Sequence, residues 1–166
     1  MSLFVAAIGA TVTAIFETTV GPYLRVGDAQ PHLVLIFAVI WTVAAGLEGG
    51  LVWAFVGGIA LDVLAERPFG ASSFALIICV GIAAAIASIS VRVRPLTVVL
   101  AVAILSLAYS MILYFLLGAL GSPVASTDPV TTLVPGAIYD SLIAVAVGPL
   151  LVAVHDRYVD EERLDW

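Results

Sequence analysis

The chain has 166 residues, 63% of them hydrophobic and 11% charged, with a formal net charge of −6 and a mean hydropathy of +1.20. Soluble domains carry about a quarter charged residues, so this composition excludes a soluble globular protein and leaves one integral membrane body with no room for a separate aqueous domain. All six basic residues are arginines, set against twelve acids, which removes the basic surface that nucleic-acid binding requires.

Six apolar segments follow one another, each bounded by proline, glycine or charge. The first runs from Leu3 to Val20. It lacks the positive n-region of a secretory signal and reads as a retained span. The polar loop GPYLRVGDAQPH follows. The second segment, Leu33 to Ala45, and the third, Gly50 to Ala65, are separated only by Gly46, Leu47, Glu48 and Gly49. As one helix the two would reach about 50 Å, against a hydrocarbon core of about 30 Å, so two short helices in a tight hairpin fit better. The fourth, Ala71 to Val91, ends at Arg92, Arg94 and Pro95. The fifth runs from Leu96 to Leu120 and stops at GSPVASTDP. The sixth, Thr131 to Val154, carries Pro135, Gly136 and Asp140 and leads into the polar tail HDRYVDEERLDW. The organisation expected is one transmembrane bundle over residues 1–154 and an acidic tail over 155–166.

Arginine placement sets the orientation. With six spans and the N-terminus inside, Arg92, Arg94, Arg157 and Arg163 are cytoplasmic, while Arg25 and Arg67 are outside. Both termini are then cytoplasmic.

Lipid provides no hydrophobic drive between helices, so helices meet through small residues that let backbones approach. Ala6, Ala10 and Ala14 form such a ridge on the first span, and Gly81 with Ala85 and Ala83 with Ala87 stripe the fourth. Both are candidate helix-contact faces, with packing inside the bundle the plainer use of either. The lone Cys79 lies in an apolar segment, forms no internal disulfide and reads as a small buried hydrophobe.

Ionisable groups inside spans cost of the order of 3 kcal/mol at mid-bilayer and are candidates for function. Glu17, near the outer end of the first span, and Glu48, in the hairpin turn, are expected in water. Asp62 stands one turn before Glu66 and Arg67, placed to cap local amides or to pair with Arg67. Asp140, beside Tyr139, requires a donor or a proton. Beyond these acids the spans offer few hydrogen-bonding side chains, chiefly Thr11, Thr13 and Thr42. His32 and His155 fall at opposite ends of the bundle, no Cys/His ligand spacing occurs, and no nucleophile, base and orienting group line up. Neither an enzyme nor a metal or cofactor site is expected. A channel using Asp62 and Asp140 would need both acids on one aqueous path.

The stretch GGIALDVLAERPFG, Gly57 to Gly70, is the most specific. Pro68 and Gly70 break the third helix and allow a tight turn, and Asp62 anchors that turn from the helix end. Gly58, Asp62, Pro68 and Gly70 thus mark a structural corner at the membrane edge. A small membrane protein with a proline-led second span (QPHLVLIFAVIW), then G-hydrophobic-D, a short loop, P-x-G and another span (GGIALDVLAERPFGASSFAL), resembles the rod shape-determining protein MreD family over essentially the whole chain. The family resemblance extends to an aromatic followed by a polar residue in the last span (AIYDSLIAVAVGPLL), without assigning Asp140 a role.

The resemblance implies an all-α polytopic membrane protein, six transmembrane helices in a compact bundle, in the bacterial inner membrane. Its function would be that of a non-enzymatic scaffold of the cell-elongation machinery. It would bind the single-span protein MreC and, with it, be tied to the class B penicillin-binding protein, RodA and MreB, supporting lateral peptidoglycan synthesis. The family looks similar in fold to the substrate-binding subunits of energy-coupling factor vitamin transporters. Such a subunit is the alternative reading, in which the Ala6, Ala10, Ala14 ridge would dock a coupling partner and the loop GPYLRVGDAQPH would cover an outward pocket.

Overall fold

The structure is a computed structural model, and it describes residues 3–25, 30–89, 94–121 and 134–148. Within them every regular element is helical: α1 (Leu3–Val20), a 3-10 turn (Gly21–Leu24), α2 (Leu33–Ala45), α3 (Leu47–Leu64), α4 (Ala71–Ile89) and α5 (Arg94–Ala119), then α6 (Val134–Gly148). The tail over 155–166 lies outside the described residues, as do Arg92, Arg157, Arg163 and His155.

Helices α1, α3, α4 and α5 are long and apolar enough to cross a membrane; α2 and α6 are shorter. At 1.5 Å per residue α2 extends about 20 Å, well short of a hydrocarbon core of about 30 Å. The shortness of α2 goes with its position. Leu33, Val34, Leu35, Ile36, Ala38, Val39, Ile40 and Thr42 are all buried, and the helix touches α1, α3, α4 and α5. A helix apolar all round and enclosed by others is a core element, so α2 is the axis about which the longer helices stand. Those helices turn large apolar side chains outward, among them Phe4, Phe55, Phe74 and Phe115, which suits lipid rather than water.

Small residues set the packing distances. Ala6, Ala10 and Ala14 are buried along α1, and α1 packs chiefly on α3. A side chain added at Gly57 of α3 would meet Ala10 and Val34. The Ala6, Ala10, Ala14 ridge therefore lies inside the bundle. Gly81 and Ala85 of α4 are exposed instead, with open space beside Gly81, whereas Ala83 faces the core. On α6, Gly136, Asp140, Ala144 and Gly148 recur every four residues and are all buried. That stripe lies along α5, with Gly148 close to Val98 and Asp140 bonded to Ser106.

The hairpin between α2 and α3 is tighter than its sequence suggests. Gly46 alone makes the turn, at φ 92°, so Glu48, Gly49 and Gly50 fall in the first turn of α3 rather than in a loop. The helices run back to back with α3 five residues longer. The N-terminus of α2 consequently stops about 8 Å short of the far end of α3. This recess withdraws the first amides of α2 into the bundle.

Candidate functional site: a buried polar cluster at the helix N-termini

A helix leaves its first N–H groups without intrahelical partners. At a recessed end inside a bundle, water does not supply them, and an unpaired buried amide costs about 1–3 kcal/mol. The chain solves this with carboxylates from neighbouring helices. Glu17, in the last turn of α1, accepts the Val34 N–H at 2.7 Å. Asp140, from the buried stripe of α6, accepts the His32 N–H at 2.8 Å, and its other oxygen lies 2.8 Å from His32 Nδ1. Ser106 of α5 donates its hydroxyl to that second oxygen. The positive end of the α2 dipole thus lies between two carboxylates, the charge it favours.

Glu17 corrects the expectation from sequence. It is buried rather than solvated, because the helix end it serves is withdrawn from the surface. Glu48 is exposed in the first turn of α3. Asp140 is fully buried and finds its donors in His32, 108 residues away, and Ser106, 34 away.

Asp62 does for α4 what Glu17 and Asp140 do for α2. Its carboxylate accepts the Gly70 N–H at 2.8 Å and the Ser72 N–H at 3.0 Å. Its own carbonyl accepts the Arg67 N–H at 2.9 Å. With Glu66 left-handed at φ 53°, this last bond closes α3 in a Schellman motif, the place normally taken by glycine. Pro68 stands between the two caps, its carbonyl accepting the Ala71 N–H at 3.1 Å, and Gly70 adopts φ 90°, which favours glycine. The Arg67 side chain makes no ion pair with the Asp62 carboxylate; its guanidinium donates to the Ser72 hydroxyl at 3.4 Å.

Gly58 contributes by what it lacks. A Cβ there would run into the backbone N and Cα of Ser73, so α3 and α4 approach at van der Waals contact. Ser73 then donates to the Phe55 carbonyl at 3.1 Å. Gly58 sets the packing of the corner, and Asp62, Pro68 and Gly70 set its path.

Tyr109 of α5 links the two capping systems. Its ring meets His32 edge to face at 5.2 Å, and its buried hydroxyl, without a hydrogen-bond partner, lies beside Ser72. Sequence reading missed Ser106 and Tyr109 as members of this cluster. A signal within α6 is the four-residue spacing of Gly136, Asp140, Ala144 and Gly148, all on its buried face. Chemically, the arrangement holds helix ends together. The carboxylates accept from backbone amides, a serine and a histidine, and among the described residues no group of three or more His, Cys, Asp or Glu side chains is placed to hold a metal ion.

A family model described as rod shape-determining protein MreD matches residues 1–155, nearly the whole chain. No curated protein and no solved structure matches it.

Proposed function

From the premise that the chain belongs to the MreD family, and so has a role in rod shape determination, we propose that it is a non-enzymatic scaffold of the bacterial cell-elongation machinery, supporting lateral peptidoglycan synthesis. The family match carries this reading. The geometry supports it through the three buried carboxylates, each engaged as a cap on another helix. A scaffold needs a rigid membrane body, and buried acids fixed by amide donors supply rigidity.

In this reading all six helices form the transmembrane bundle. It sits in the inner membrane, with Arg25 and Arg67 outside and both termini in the cytoplasm. The partner is MreC, whose single span packs on the lipid-facing side of the bundle. Through MreC the assembly reaches the class B penicillin-binding protein, RodA and MreB.

The polar cluster favours one second reading, a substrate-binding subunit of an energy-coupling factor transporter, since His32, Ser72, Ser106 and Tyr109 gather around the N-terminus of α2. Against it, His32 and Ser106 are already engaged by Asp140, and Ser72 by Asp62. Purification of the tagged protein from its native membrane in mild detergent, with co-purifying proteins identified by mass spectrometry, separates the two. The scaffold reading expects MreC with the elongation synthase. A coupling subunit with ATPases, and no MreC, would overturn it.

A further inference from the structure

Among the described residues the one ion pair joins His32 to Asp140, and it lies where α6 meets the rest of the bundle. Asp140 is fully buried, whereas the His32 side chain remains 25% exposed. His32 sits in the connection before α2, outside the helices, and is the more exposed member of the pair. We propose that His32 and Asp140 form a proton-operated latch, which holds α6 against the N-terminus of α2 and loosens as the pH on that side of the membrane rises.

Among the described residues, the charged or titratable groups facing His32 each belong to a different element. Asp140 comes from α6, Glu17 from α1, Tyr109 from α5, and Arg67 from the corner between α3 and α4. Burial disfavours the imidazolium, but the attraction and hydrogen bond of Asp140 and the attraction of Glu17 outweigh both burial and the repulsion of Arg67. The imidazole therefore holds its proton above the ordinary histidine range. For a group whose folded pKa is raised, the added stability is complete below the unfolded value, near 6.5, and disappears as pH rises through the folded one. The backbone N–H of His32 and the Ser106 hydroxyl also donate to Asp140, so deprotonation of the imidazole weakens the docking of α6 without releasing it. This inference does not depend on which partner the bundle holds.

Hydrogen–deuterium exchange of the full chain in lipid nanodiscs, from about pH 5.5 to about pH 8.5 and corrected for the intrinsic rate, tests it across the range in which histidine titrates. Exchange in peptides from α6 should rise with pH across this range, while α1 and α3 stay unchanged. His32→Gln, which retains a side-chain donor and removes the charge, should abolish the step and leave α6 at the wild-type high-pH level. Glu17→Gln should keep the step. An α6 indifferent to pH in the wild type overturns the latch, and so does a step that survives His32→Gln. The wild-type series decides the first point even if the variant fails to fold.

Discussion

Asp62 and Ser72, ten residues apart, are joined across the α3–α4 corner by a carboxylate that accepts the Ser72 amide at 3.0 Å and, through its other oxygen, the Gly70 amide at 2.8 Å. One side chain therefore caps the helix that follows its own. Asp62→Ala would leave two amides without acceptors in a site that is 1% exposed at Asp62. The expected cost is about 2–3 kcal/mol, since hydrogen bonds to charged groups are worth about 1.5–3 kcal/mol. Asp62→Asn keeps one acceptor and should fall between alanine and the wild type. Thermal unfolding in a fixed detergent reads the order, and equal stability of Asp62→Ala and the wild type would remove the capping role. The asparagine variant also addresses ion conduction: intact assembly with lost ion flux would favour a channel over a corner.

The same corner holds Glu66 at φ 53°, a conformation that costs a non-glycine residue about 1–2 kcal/mol. Its side chain is exposed, so little packing offsets that strain. Glu66→Gly should relieve it, less the extra freedom glycine gives the unfolded chain, for a net gain of up to about 1 kcal/mol. Glu66→Val, β-branched, should destabilise by a similar amount. A glycine variant less stable than the wild type, measured in the same detergent, would mean that the Glu66 side chain makes a contribution its exposure hides.

Two glycines of neighbouring helices should respond oppositely to the same change. At Gly58 a methyl group meets the Ser73 backbone, which cannot rotate away, and the helices must separate. Gly58→Ala should cost about 1–3 kcal/mol, the range for overpacking. At Gly81 nothing lies within 4 Å of an added Cβ, and Gly81→Ala should gain up to about 1 kcal/mol of helix propensity. Melting midpoints of the two variants moving in the same direction would contradict the close α3–α4 approach at Gly58 or the open face at Gly81.

What the sequence made legible was local. The span expected over Leu3–Val20 is α1 over the same residues, because a long apolar run closed by Gly21 and Pro22 leaves no choice of bounds. The corner was legible because Asp62 and its amide partners lie within ten residues. Glu17 was misplaced for the converse reason. Its partner Val34 lies on another helix, and its burial follows from α2 stopping short of α3, a mismatch that appears only once Gly46 is seen to turn the chain alone. Asp140, His32 and Ser106 meet across three elements, which no spacing in a single segment records.

The two small-residue faces differ in the same way, and the difference can be used. Ala10 is fully buried between α1 and α3, against Gly57, so Ala10→Leu forces three methylene-sized groups into a closed interface. Overpacking of that kind costs about 1–3 kcal/mol or more, and the variant should melt early and lose any partner as a secondary result. Ala85 is exposed on α4, so Ala85→Leu should leave the melting midpoint within about 0.5 kcal/mol of the wild type, as for surface changes generally. With MreC as the proposed partner, midpoint and MreC recovery measured side by side separate folding from recognition. If Ala85→Leu melts normally yet recovers less MreC, the open face of α4 lies in the partner interface; full recovery places MreC elsewhere on the bundle. A normal midpoint for Ala10→Leu would mean that α1 does not pack on α3 through its alanine ridge.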